Sequence, residues 1–198
     1  MNRLLLYLLR STLLFGLGVG LYYVFGLLQG CRSGIFTDKF SLHVLKTNSG
    51  IPLCCGFLAV FGGLLSPHIC TQLQLMHPDE TEWCSVIRCL VFFVGINHAT
   101  TKIDFISNSQ LLFTIASLAL GVWWLFDRSL GGILIGSGTS LLGTASCQLL
   151  ADRRVIYSTD PLLFSWLPCV FFSGGITISL VGRQLAKLDL TPEKLKSE

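Results

Sequence analysis

Apolar runs of about 20 residues, the length that crosses a hydrocarbon core of ~30 Å, recur from one end of this chain to the other. Separated at their polar, proline and glycine punctuation, they predict six membrane-spanning helices near residues 4–28, 51–70, 83–101, 107–126, 130–150 and 161–182. Of the 198 residues, 52% are hydrophobic and only 13% charged, against roughly a quarter charged in a typical soluble domain. No stretch remains for a soluble domain. The expected fold is an all-α membrane protein, one domain over 1–198 built as a six-transmembrane-helix bundle, with short connections apart from 29–50 and 71–82.

The first run follows Arg3 and contains Arg10, so it has the look of a signal peptide. It is longer than the ~7–15-residue apolar region of a cleaved signal and no small-x-small site closes it, so it is expected to stay as the first span. The 8 cysteines show no CxxC pair and no zinc spacing. They read as small hydrophobes in helix packing, with Cys54 and Cys55 at a span mouth as alternative acylation sites. A net charge of +3 is too mild to argue for a nucleic-acid partner.

An even number of spans puts both termini on one side, and the balance of arginine and lysine between the two sides is too close to choose which. The tail "KLKSE" carries Lys194 and Lys196 in the KxKxx arrangement that cytosolic coat proteins read as an endoplasmic reticulum retrieval address. Both termini are therefore expected in the cytosol. Gly16 with Gly20, Gly132 with Gly136, and Gly175 with Ser179 make small-xxx-small pairs, read as close packing within the bundle.

Polar groups gather at the ends of spans. In "FVGINHATTKIDF", Asn97, His98, Thr100 and Lys102 fall in the last turns of the third span, where Lys102 can snorkel to the interface. His98 has no second ligand at metal spacing and a lysine beside it, which argues against an enzyme or metal centre. Asn97 and His98 read instead as hydrogen-bonding groups between helices. Across the fourth span, Gln110 stands just after the turn, and Trp123, Trp124, Asp127 and Arg128 stand at the opposite rim. Asp127 is anomalous, because a helix C-terminus disfavours a carboxylate. Two readings stay open here: a solvated interfacial pair with Arg128, or a carboxylate kept for donors on a partner.

The segments "EWCSVIRC", "FVGINHATTKIDF", "LGVWWLFDRS" and "SWLPCVFFSGGIT…GRQLA", in order and with preserved spacing between about residues 52 and 185, resemble those that mark the insulin-induced gene (Insig) family of endoplasmic reticulum membrane proteins. The resemblance implies a multi-pass, non-enzymatic protein of cholesterol metabolism, with cytosolic termini and no cofactor, that takes an oxysterol as regulatory ligand. It also implies two partners. One is the escort protein Scap, held back so that sterol-regulatory transcription-factor (SREBP) precursors are not transported or processed. The other is HMG-CoA reductase, presented to ubiquitin ligase machinery for sterol-dependent degradation. Carried over by motif, Phe93 and Gln110 belong to a sterol site between the third and fourth spans, and Asp127 with Trp123 to partner binding. The second loop, "MHPDETEW", is acidic where familiar members are basic.

The rival reading is a small membrane lipid carrier or channel-like bundle, with Asn97, His98 and Gln110 along a polar path. Against it, the span centres are apolar. If the third and fourth spans form a hairpin turning near Phe105, Phe93 and Gln110 differ in height by roughly 10 Å at ~1.5 Å per residue, enough for a sterol ring system lying along it.

Overall fold

Each apolar run becomes one helix. The structure is a computed structural model that describes residues 3–32, 50–72, 82–102, 107–152 and 161–194. Its helices are α1 (Arg3–Arg32), α2 (Gly50–Gln72), α3 (Trp83–Lys102), α4 (Asn108–Phe126), α5 (Leu130–Asp152) and α6 (Pro161–Lys194). Five are long and apolar enough to cross a membrane, whereas the apolar part of α3 is the shorter Trp83–Ala99. The chain is an all-helical membrane bundle. α6 runs past its expected end near residue 182 because "GRQLAKLDL" changes polarity but is built mostly of good helix formers.

α6 is the axis of the bundle and packs against every other helix. Residues 173–180, "SGGITISL", are buried without a break, and their small side chains let neighbours come close. A Cβ on Gly182 would stand 2.2 Å from the Gly63 carbonyl oxygen of α2, so the two backbones touch with no room for any side chain. Next to that crossing, buried Arg10 of α1 donates to the carbonyls of Gly182 (2.6 Å) and Gly63 (3.2 Å). One arginine thus ties three helices at one end of the bundle.

Further polar contacts hold α6 along its length. Ser66 and Ser179 share a hydroxyl contact of 2.7 Å, Ser140 donates to the Pro168 carbonyl at 2.8 Å, and the Cys89 thiol lies 3.6 Å from the Thr177 hydroxyl. Between helices in lipid such bonds contribute ~0.6 kcal/mol each, so their number matters more than any single one. Cys54, Cys55, Cys84, Cys89, Cys147 and Cys169 are free thiols, and Cys89 sits in the core with Val86, Val122, Ile176 and Leu180.

One packing expectation is overturned. A Cβ placed on Gly16 or Gly20 would meet no atom within 4 Å, while one on Gly18 between them would meet the Ala59 Cβ at 2.6 Å. The glycine that α2 packs on is two residues out of step with the GxxxG pattern, hence on the other side of α1. The remaining pairs do pack inward: Gly136 lies against Phe172 and Ile176, and Gly175 against Thr139.

Candidate functional site

The connection between α4 and α5 is three residues long, and its geometry answers the question posed by Asp127. α4 ends at Phe126, with the Asp127 N–H donating to the Trp123 carbonyl at 3.0 Å. Arg128 then takes a left-handed conformation, φ 49°, uncommon for a residue with a side chain. That reversal lets Ser129 cap α5: its hydroxyl accepts the Gly132 N–H at 2.9 Å, which is the bond an N-cap serine makes. Asp127 closes α4 in sequence but lies at the N-terminus of α5 in space, where the backbone dipole favours a negative charge.

Its partner is neither Arg128 nor solvent. Asp127 Oδ1 accepts hydrogen bonds from the Ser129 hydroxyl at 2.8 Å and from the Arg183 guanidinium of α6. The pair is largely enclosed: the Asp127 side chain is 1% exposed and that of Arg183 12%. Asp127 Oδ2 has no hydrogen-bond partner and lies against the first turn of α5, where a Cβ on Gly132 would approach it to 1.7 Å. Trp123 joins the same cluster, its indole N–H donating to the Ser129 carbonyl at 3.0 Å. Trp123 and Asp127, singled out by motif, are thus brought together through Ser129. Arg128 turns the other way. Its Nε donates to the Trp124 carbonyl at 2.8 Å and its guanidinium stacks 5.3 Å from the Trp124 ring, both residues exposed.

Phe93 and Gln110 are not brought together. Phe93 is 7% exposed and borders an apolar cavity of about 180 Å³ with Leu21, Cys55, Cys147, Phe171 and Ile178. Among the described residues its walls come from α1, α2, α3, α5 and α6, and none of those residues is from α4. The volume is below the ~300–1,000 Å³ of pockets that enclose a drug-sized ligand. Gln110 lies in the first turn of α4, exposed, its N–H capped by the Ser107 hydroxyl at 3.3 Å. The third and fourth spans do touch, as in the 5.7 Å contact between the Phe92 and Phe126 rings, but Phe93 faces α6 and Gln110 faces outward.

Asn97 is buried and donates to the Phe93 carbonyl one turn earlier, at 2.7 Å. Among the described residues no group of three or more histidine, cysteine or acidic side chains is arranged to hold a metal ion. Lys194 is the last residue of α6, and Lys196 lies outside the described residues. Arg183 escaped the sequence reading. The available signal was that neighbouring side chains on a helix do not face each other, so the buried partner of Asp127 had to come from elsewhere than Arg128.

Residues 9–186 match the family model described as insulin-induced protein (INSIG). The chain is 45% identical over 193 residues to the insulin-induced gene 1 protein of Bos taurus, covering 96% of this chain and 69% of that protein. It is 46% identical over 181 residues to the protein of the same description in Danio rerio, with 89% and 72% covered. For that of Homo sapiens the identity is 44% over 193 residues, with 96% and 69% covered.

Proposed function

The chain belongs to the insulin-induced protein (INSIG) family, and from that premise we propose that it is a non-enzymatic, oxysterol-responsive retention factor of the endoplasmic reticulum membrane. With sterol bound it holds Scap, which keeps sterol-regulatory transcription-factor precursors from transport and processing. It also presents HMG-CoA reductase to ubiquitin ligase machinery. Both termini face the cytosol, which puts the α4–α5 corner on the cytosolic side.

The observation that carries this reading is the corner itself. A buried carboxylate, a serine cap, a tryptophan and a distant arginine are fitted together at a three-residue turn, and the outer face of that turn bears exposed Trp124 and Arg128. Such a fixed, amphipathic feature at a membrane rim suits recognition of another membrane protein. On the sterol side, Gln110 offers its amide to a sterol hydroxyl from the bilayer-facing side of α4. Phe93 supports α3 against α6 from within.

The test is co-purification with the membrane segment of Scap, with and without a hydroxylated sterol, combined with photo-crosslinking by a sterol probe. Sterol-dependent capture, lost in Asp127→Ala at unchanged abundance, is the expected result. Absence of capture by the wild-type chain at any sterol concentration would reject the proposal.

A further inference from the structure

Asp127 cannot meet a partner directly, because its side chain is 1% exposed and one of its oxygens is already taken by Ser129 and Arg183. The other oxygen is buried against α5. What a partner can touch at this corner are exposed Trp124, Leu125, Arg128 and Leu130, of which Trp124 and Arg128 carry its polar character. The conformation that presents them starts at Arg128, whose positive φ is a local cost met by interactions on either side. On one side the cation stacks on Trp124. On the other, Asp127 is pinned to α6 fifty-six positions later in the chain.

We infer that Arg183 is a positioning residue for partner binding: by holding the Asp127 carboxylate against α6 it fixes the α4–α5 turn so that Arg128 and Trp124 form the contacting surface. The proposed requirement for Asp127 is then a requirement for the Asp127–Arg183 pair. Arg183 is itself set by its neighbours, since the adjoining Gly182 backbone is clamped to Gly63 and Arg10. The turn is therefore referenced to the three-helix crossing of α1, α2 and α6. Breaking a buried pair by removing one partner leaves the other charge uncompensated, and the damage is large compared with loss of a surface pair.

This inference rests on the proposed function for its partner readout, so the experiment has two arms that fail separately. In the first, full-length chain is co-expressed with the membrane segment of Scap as probe. Arg183→Ala is expected to lower capture by at least about tenfold, and Arg183→Lys to recover most of it, because a single buried charge partner is at stake. Equal capture by Arg183→Ala and wild type, or no recovery by Arg183→Lys, would overturn the inference.

The second arm needs no partner. Arg128→Cys is labelled in sealed membranes with a maleimide, and the exposed Cys84 serves as internal reference. Adding Arg183→Ala is expected to change the labelling rate at position 128 by at least about threefold, as a turn released from its buried anchor opens locally. An unchanged rate would show that the turn does not depend on Arg183, whatever the partner. Wild-type chain that captures no Scap while the labelling rate shifts would remove the proposed function and leave the anchoring intact.

Discussion

The Asp127 side chain at the corner and the Phe93 side chain at the cavity are both largely buried, yet they are held by different forces. The corner is a polar cluster in which each group has a direction: Ser129 both donates and accepts, Trp123 donates, and Arg183 reaches across from another helix. The cavity is walled by apolar side chains whose contacts are non-directional. In lipid the hydrophobic drive between helices is absent, so the cavity is kept by packing alone, while the corner is kept by hydrogen bonds and charge. A directed cluster fails when one atom moves, and a packed wall adjusts. This difference makes the corner the better candidate for recognition that must be specific, and the cavity for an adjustable interior.

Four substitutions put that contrast under strain. The largest effect is expected from Gly132→Val. Its Cβ would fall 1.7 Å from Asp127 Oδ2, so the corner cannot close around it. Overpacking against backbone and a fixed carboxylate costs ~3 kcal/mol or more, or about a hundredfold in capture of Scap by pull-down. Capture at the wild-type level would mean that the corner adapts as a packed wall does. Next is Phe93→Ala, which enlarges the cavity beside Gly174. It should lower thermal stability in detergent by roughly 2–3 kcal/mol, less than the ~3–5 of aqueous cores because lipid or detergent solvates the ring in the reference state. Phe93→Leu should cost less than half as much, since nearly volume-conserving apolar swaps are tolerated. Equal losses for the two would show that Phe93 has a directed role.

The smallest effect is expected at Gln110→Leu. An exposed residue with no fold contact at its amide should leave stability unchanged, while competition against a labelled oxysterol should show a reduced preference for hydroxylated sterols. Loss of one hydrogen bond is worth ~0.5–1.5 kcal/mol, or about two- to tenfold in that preference. If Phe93 acts on sterol affinity only through its support of α3 from within, its effect and that of Gln110 add in the double variant. Strong coupling between them would return both to one shared pocket.

Much of this molecule could be read from its residues alone. The six helices follow from the length and punctuation of the apolar runs, and Asp127 stood out because a carboxylate at a helix C-terminus opposes the dipole. Two things were hidden. The ion pair joins residues fifty-six positions apart, and no local pattern marks Arg183, which lies among other cations in the α6 tail. The orientation of α3 was hidden as well. Phe92 and Phe93 are about 100° apart around the helix, and both are phenylalanines, so sequence does not say which one faces α4. Phe92 does, and Phe93 turns to α6. The same ambiguity of phase explains why Gly18, not Gly16 or Gly20, carries the α1–α2 contact.

The most direct measurement is sterol-dependent capture of the Scap membrane segment by Asp127→Asn. Asparagine keeps the shape of the side chain and its acceptor for Ser129 but removes the charge that Arg183 meets. With a hydroxylated sterol present, capture per inserted molecule of this variant is expected to fall by at least about tenfold, because a largely buried arginine left without its counter-charge no longer holds the turn. Capture by Asp127→Asn equal to wild type would contradict the requirement for a charged pair, because shape without charge would then suffice at the corner.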